Sequence, residues 1–106
     1  MYKLTFFVPP LHLDSVKKAV FDTGAGRIGN YDQCCWQTLG EGQFRPLEGS
    51  EPFMGKQNET TQVVEYRVEM VCADNLITEV VAALKAAHPY EEPAFDVVRL
   101  VDIELN

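Results

Sequence analysis

The largest group of chemically active side chains in the sequence is the run His88-Pro89-Tyr90-Glu91-Glu92-Pro93. It combines an imidazole, a phenol and two carboxylates, and its two prolines restrict the backbone around them. Pro89 lacks an N–H and disfavours helical geometry at His88, so a preceding helix must end there. The run therefore has two interpretations. It is either a rigid connector between a helix and a strand, or a site whose donors the prolines hold in place.

A divalent metal is the first candidate ligand. His88 together with Glu91 offers an imidazole and a carboxylate, which are ligands for zinc, copper or nickel. Glu92 could supply a further oxygen. These groups number fewer than the usual four ligands, so His12 or a symmetry-related copy would have to complete the shell. No cofactor is certain from the sequence, and zinc or copper is the candidate.

An organic ligand or a protein partner is the second candidate. Tyr90 and Glu92 could contact it, and Arg45 and Glu48 add charged groups from a second irregular segment. Each also has a structural interpretation. Tyr90 is more typical of a core aromatic with a tethered hydroxyl. Arg45 and Glu48 flank Pro46 and could simply pair with each other, which contributes about 0–1 kcal/mol at an exposed site.

Catalysis is a third interpretation, because a histidine beside two carboxylates can support acid–base chemistry. No nucleophile–base pair accompanies it, so the sequence assigns no catalytic residue and favours a protein that is not an enzyme. The run from Gly24 to Gly29 has the spacing of a dinucleotide fingerprint, but that motif requires a strand before it and a helix after it. Here the predicted order is reversed. A loop with positive φ is expected instead, with a backbone anion nest as the alternative.

Composition limits the class of protein. At 106 residues the chain is predicted to form one domain spanning 1–106. The formal charge of −7 and the scattered basic residues disfavour nucleic acid as a partner. The first residues do not resemble a signal peptide, and no window approaches the ~20 apolar residues of a membrane span. Three cysteines do not form a disulfide framework, so a cytoplasmic protein with reduced thiols and no membrane association is expected.

Hydrophobic periodicity predicts the elements that position these groups. Asp14 and either Asp74 or Asn75 are predicted helix N-caps, Gly24 is a predicted helix stop, and Trp36 is predicted to be in the core. The predicted elements are a strand at 2–8, a helix from 14 to 24, a strand at 32–39, a turn at 40–42, a return strand at 43–47, a loop at 48–61, a strand at 63–72, a helix ending at 87 and a strand at 95–103.

This order repeats β-α-β twice, which favours an α+β, ferredoxin-like fold. In that fold a four-stranded antiparallel sheet carries both helices on one face, here with a β-hairpin extension. The other face of the sheet is expected to be open and partly apolar. Such a face often mediates association, so the chain is predicted to form a homo-oligomer.

Four motifs also resemble a known family. They are the runs 24–31, 42–50, 52–55 and 88–93, and together they look like the CutA/PII-like inserted domain of the YqfO/YbgI, or Ngg-interacting-factor-like, family. The last run is also similar to the end of the CutA proteins, which are linked with divalent-cation tolerance. The resemblance implies a free-standing version of that inserted domain, with a trimer favoured and a dimer as the alternative.

The metal-dependent hydrolase function of the family is not implied, because its dinuclear site lies in a body flanking the inserted domain. PII-like proteins use the long loop between strands two and three to reach partner proteins, so a protein partner is a further expectation. The main functional prediction is an oligomeric binding or regulatory module whose surface combines loop 42–55 with motif 88–93. The alternatives are a CutA-like divalent-metal binder and, third, a metal-dependent hydrolase.

Overall fold

A computed structural model describes residues 1–103 of the chain. Short 3-10 turns at Pro10–His12 and Asp74–Leu76 lead into the two α-helices. The regular elements of the described residues are β1 (Tyr2–Val8), α1 (Leu13–Asp22), β2 (Trp36–Phe44), β3 (Thr61–Cys72), α2 (Ile77–Ala87) and β4 (Phe95–Arg99).

The four strands form one antiparallel sheet in the order β2-β3-β1-β4. The two halves of the chain therefore interleave, because β1 pairs with both β3 and β4. The predicted ferredoxin-like arrangement is confirmed. Within residues 1–103, neither helix has the length and apolar content that crossing a bilayer would require.

The core lies between the sheet and the two helices. Alternate residues of β1 and β3 point towards the helices, as the period of two predicts. Burying each of these large apolar side chains contributes roughly 1.5–3 kcal/mol. The fully buried apolar side chains include Leu4, Phe6, Val8, Val16, Val20, Val68, Val80 and Leu84.

The hairpin formed by β2 and β3 projects beyond the rest of the sheet. β1 pairs with β3 only between Tyr66 and Cys72, whereas β2 pairs with β3 from Thr61 to Glu69. The molecule is consequently elongated, with extents of 55 × 24 × 23 Å. The predicted hairpin extension is thus present, but it is built from β2 and β3.

The predicted turn at residues 40–42 is wrong, so the predicted strands at 32–39 and 43–47 are in fact one strand, which begins at Trp36 and ends at Phe44. β2 runs unbroken through Gly40 and Gly42, which pair with Glu65 and Val63. Cross-strand pairing overrides the local turn preference of the glycines. Gly42 has a further role, because a Cβ there would clash with the Glu65 carboxylate that lies across it.

Trp36 is 60% exposed, so its predicted place in the core is wrong. It pairs with Glu69, whose side chain points away from the helices because it alternates with the buried Val68 and Met70. Trp36 therefore lies on the open face of the sheet, which the helices do not cover.

The predicted ends of several elements also need correction. Asp14 is the second residue of α1 rather than its cap, and neither Asp74 nor Asn75 caps α2, because 3-10 turns precede both helices. β4 ends at Arg99, not at Ile103. Arg99 pairs with Tyr2, the first residue of β1, so no strand partner remains beyond it. The predicted stop at Gly24 is confirmed by its φ of 102°.

Candidate functional site

His88 is the fixed point of the corner between α2 and β4. Its backbone is extended, as a residue before proline requires, and its side chain is only 6% exposed. The backbone N–H of Tyr90 donates to His88 Nδ1 at 3.1 Å. Because Nδ1 accepts, the ring proton sits on Nε2, which donates to the carbonyl oxygen of Phe7 at 2.6 Å. A neutral imidazole thus ties the corner to β1.

The surroundings of His88 favour this neutral state. Burial lowers its pKa, while the hydrogen bond to the Phe7 carbonyl and the charge of Glu65 act in the opposite direction. Both ring nitrogens already have partners. His88 therefore acts as a structural clamp, and a metal ion could bind there only by displacing Phe7 or the Tyr90 amide.

The connection between β2 and β3, residues 45–60, docks on the body of its own chain. The backbone N–H of Asn58 donates to the Pro46 carbonyl at 2.7 Å, which closes the base of the loop. At its centre the Phe53 ring meets His12 edge-on, with ring centroids 5.6 Å apart. The same ring lies 6.2 Å from the ring of Tyr90. An aromatic series therefore joins the loop to the start of α1 and to the 88–93 motif.

A hydrogen bond latches the loop to the motif. The backbone N–H of Glu51 lies 3.0 and 3.2 Å from the two carboxylate oxygens of Glu91. Hydrogen bonds to an ionised acceptor are stronger than neutral ones, although exposure weakens this one. Glu91 was predicted to bind a metal, and in the structure its carboxylate holds the loop.

A cavity of about 280 Å³ lies between the loop, the hairpin and the motif. Most of its wall is apolar or aromatic, and three carboxylates interrupt it. The lining residues are Gln43, Phe44, Pro46, Ser50, Pro52, Phe53, Met54, Val63, Glu65, Tyr90, Glu91, Glu92 and Ala94.

The four predicted ligand-contacting residues divide into two pairs. Tyr90 and Glu92 line the cavity together. Arg45 and Glu48 are exposed and lie outside its lining, although they belong to the same loop. Within the described part of the chain they form no salt bridge with each other.

Glu65 is a site residue that the sequence did not reveal. It lies on β3 opposite Gly40, its carboxylate reaches over the nearby Gly42, and it lines the cavity beside Tyr90. The Tyr90 hydroxyl is buried and makes no hydrogen bond of normal geometry. Burial, followed by the neighbouring Glu65 carboxylate, raises the pKa of Tyr90 above its usual value. The only sequence signal was indirect: Glu65 falls on the polar side of the β3 alternation.

Metal binding by His88 and Glu91 stays a prediction. Across residues 1–103, no three His, Cys, Asp or Glu side chains lie close enough together to hold a metal ion. The two predicted ligands instead have separate backbone partners in Phe7 and Glu51. A metal would need ligands from outside this arrangement, as the sequence already indicated.

No family model matches the chain. GTP cyclohydrolase 1 type 2 homologues from Halalkalibacterium halodurans and Mycobacterium tuberculosis are 44% and 46% identical to it over 102 and 99 residues. These matches cover 96% and 93% of this chain but only 27% and 26% of the relatives. The chain thus spans about a quarter of the length of the relatives it matches.

Comparison with solved structures also matches this chain to one part of a longer protein. A Bacillus cereus protein related to NIF3 superimposes with a TM-score of 0.83 at 40% identity, covering 95% of this chain and 26% of that one. The periplasmic divalent cation tolerance protein CutA from Archaeoglobus fulgidus superimposes with a TM-score of 0.70 at 13% identity, covering 98% and 88%. The second likeness shows the fold alone, and it confirms the predicted CutA-like architecture.

Proposed function

The chain is homologous to one domain of the GTP cyclohydrolase 1 type 2 homologues, the NIF3-related family, and on that basis we propose that it is a binding or regulatory module. Its ligand site is the cavity between loop 42–55 and motif 88–93. The confirmed motif resemblance supports the family but names no ligand. The geometry of the cavity is what supports the ligand site.

One observation carries the proposal: two segments about forty residues apart in sequence converge on one cavity and are bonded to each other across it. Apolar walls with a few convergent polar groups are typical of small-molecule sites. The volume of about 280 Å³ is close to the lower end of the ~300–1,000 Å³ that such sites span. The His88 clamp and the proline-restricted corner keep one wall rigid, which lowers the entropic cost of binding.

We further propose that the module works as a homo-oligomer, with a trimer favoured over a dimer. Association is supported by the open face of the sheet, where Trp36 and Val98 are 60% and 56% exposed, and the preference for a trimer follows from the resemblance to the CutA proteins. Trp36 and Val98 lie on the two edge strands of that face, and exposed apolar side chains on an uncovered face are typical of surfaces that associate. The Arg67–Glu69 salt bridge on the same face, with an N–O distance of 2.6 Å, is compatible with a partly polar interface.

The name of the relatives refers to a nucleotide-processing enzyme about four times as long, and we do not extend that activity to the cavity. Among the residues that the structure describes, three carboxylates and no Lys or Arg line the cavity, so a triphosphate would be repelled. Ser50 donates its hydroxyl hydrogen to the Leu47 carbonyl at 2.6 Å and has no adjacent base among its hydrogen-bond partners. A binding role fits this lining better than catalysis does.

A protein-observed NMR titration with a fragment library tests the ligand site. We expect fragments that bind to shift the resonances of residues in both loop 42–55 and motif 88–93. Phe53→Ala should weaken such hits by about tenfold, because an aromatic contact contributes roughly 0.5–1.5 kcal/mol beyond its buried area. Leu47→Ala is the matched control, since Leu47 is equally exposed in the same loop but does not line the cavity. Hits that bind only elsewhere would overturn the ligand site.

Sedimentation equilibrium at tens of micromolar tests the oligomer separately. We expect a mass above that of one chain, and Trp36→Glu should return the protein to the monomer mass. A strict monomer for the unmodified chain would refute the oligomer proposal and leave the ligand site to the NMR experiment.

A further inference from the structure

The charge of the cavity wall indicates which class of ligand it accepts. Glu65, Glu91 and Glu92 all contribute to the lining, and none of the lysines, arginines or histidines in residues 1–103 does. The basic residues of the neighbouring loop, Arg45 and Lys56, are exposed and lie outside the lining. A partly enclosed space lined by charges of one sign attracts ligands of the opposite sign, because its low-dielectric walls focus the electric field.

The carboxylates are not equally free to meet a ligand. Glu91 already accepts the backbone N–H of Glu51 with both oxygens. Glu65 has the Tyr90 hydroxyl beside it but no hydrogen bond of normal geometry to it. Among the described residues, neither Glu65 nor Glu92 takes part in a salt bridge. Two carboxylates at the cavity, those of Glu65 and Glu92, therefore have no salt-bridge partner within residues 1–103.

Aromatic rings stand beside these charges. Phe44, Phe53 and Tyr90 line the same cavity as the unpaired carboxylates. The faces of aromatic rings attract cations, and the attraction grows when the cation is partly removed from water. Carboxylates and aromatic rings together are the wall that recognises an ammonium group attached to an apolar body.

We propose that the cavity binds a small organic cation, namely an amine whose apolar or aromatic part packs on Phe53 and whose ammonium group faces Glu65 and Glu92. This inference rests on the proposed function, since it names the ligand class of the same site. The overall formal charge of −7 acts in the same direction, because it raises the concentration of cations near the protein surface. Anionic metabolites, including nucleotides, are excluded by the same charges.

Three isosteric probes test the ligand class: phenethylamine, phenethyl alcohol and phenylacetate. They carry a positive, a neutral and a negative group on the same phenyl body. In NMR titrations we expect phenethylamine to shift the resonances of the cavity residues. Its Kd should be at least about fivefold lower than that of phenethyl alcohol, and phenylacetate should bind most weakly. The difference in affinity between phenethylamine and phenethyl alcohol should shrink as salt is added, because ions screen partly exposed charges.

Charge-neutralising variants test the residues. Glu65→Gln and Glu92→Gln should each lower the affinity for phenethylamine by about threefold to tenfold. The affinity for phenethyl alcohol should stay unchanged. Glu48→Gln is the matched control, because it makes the same change in net charge within the same loop but outside the cavity lining. Equal loss of phenethylamine in the control would show that only the overall charge matters and would overturn the assignment.

Failure of this inference differs from failure of the proposed function. If phenethyl alcohol or phenylacetate binds the cavity as tightly as phenethylamine, the proposed preference for a cation is refuted, but the proposed ligand site is not. If phenethylamine shifts no resonance of a cavity residue, the proposed preference for a cation is also refuted. The titration with the fragment library then decides whether the cavity binds any ligand.

Discussion

Replacing His88 with alanine tests the clamp on which the site is built. The buried imidazole accepts from the Tyr90 N–H through Nδ1 and donates to the Phe7 carbonyl through Nε2. His88→Ala removes both bonds at once. It leaves one backbone donor and one backbone acceptor without partners, together with a space where the ring had packed.

The magnitude follows from those losses. A buried polar group left without a partner costs about 1–3 kcal/mol, and two are created here, although water entering the space can satisfy one of them. The lost packing of the ring adds a cavity cost of about 1–2 kcal/mol, below the range of a large apolar side chain. We expect the free energy of unfolding to fall by about 3–5 kcal/mol, a large share of the 5–15 kcal/mol typical of a domain.

Urea unfolding followed by circular dichroism measures this loss, for each protein with and without a chelator. His12→Ala is the matched control, because His12 is partly buried and its Nδ1 has no hydrogen-bond partner. His12→Ala loses the edge contact with Phe53 but no hydrogen bond of Nδ1, so the free energy of unfolding should fall by about 1 kcal/mol or less. The clamp would be refuted if His88→Ala cost under about 1 kcal/mol. It would also be refuted if chelation alone destabilised the unmodified protein as much as His88→Ala does.

Three further predictions concern the same corner. The free energy of unfolding should fall as the pH drops from about 7 to 5, by at most ~1.4 kcal/mol per pH unit, because the unfolded chain protonates a histidine that the folded chain keeps neutral at His88. Gly42→Ala should change stability by less than about 1 kcal/mol. It should nevertheless displace the Glu65 carboxylate and lower the pKa of Tyr90, as read from the NMR titration of that ring. Glu91→Gln should leave global stability within about 1 kcal/mol but accelerate hydrogen exchange of the loop amide bonded to that carboxylate.

Each of these has its own contrary result. Equal pH dependence in His88→Gln and the unmodified protein would assign the effect to other groups. An unchanged Tyr90 titration in Gly42→Ala would show that Glu65 does not need the space above the glycine. Glu92→Gln is the control for the latch, since Glu92 accepts no loop amide. Similar exchange rates of the Glu51 amide in Glu91→Gln and Glu92→Gln would contradict the latch.

The parts of the fold that local patterns predicted are those with a strong period. The alternation in residues 2–8 and 63–72 identified β1 and β3, since one side of each strand packs on the helices. The apolar stripe of α2 and the proline after His88 located that helix and its end. Element order then determined the topology, because few arrangements accept two β-α-β units.

The errors arose where distant residues override local preference. Gly40 and Gly42 read as a turn, but they lie in mid-strand because the facing residues of β3 pair with them. Trp36 read as core on hydrophobicity alone, and its register with Glu69 turns it to the open face. Neither register can be deduced from the residues nearby.

The site was predicted only in outline. The two segments that form it were identified by their composition, but their contacts join residues about forty positions apart. The sequence therefore could not reveal that Glu91 latches a loop, that Phe53 packs beside Tyr90, or that Glu65 enters the lining. Those three facts arise because the loop at 45–60 and the strand β3 meet the corner at 88–93.

The most direct test of the account is whether loop 42–55 and motif 88–93 form one surface in the free protein in solution. A nuclear Overhauser spectrum of the unliganded chain measures this through the rings of Phe53 and Tyr90, whose centroids lie 6.2 Å apart. The account predicts cross-peaks between the two rings, retained in Leu47→Ala and lost in Phe53→Ala. Absence of those cross-peaks, with the loop amides exchanging as in an unfolded segment, would contradict it.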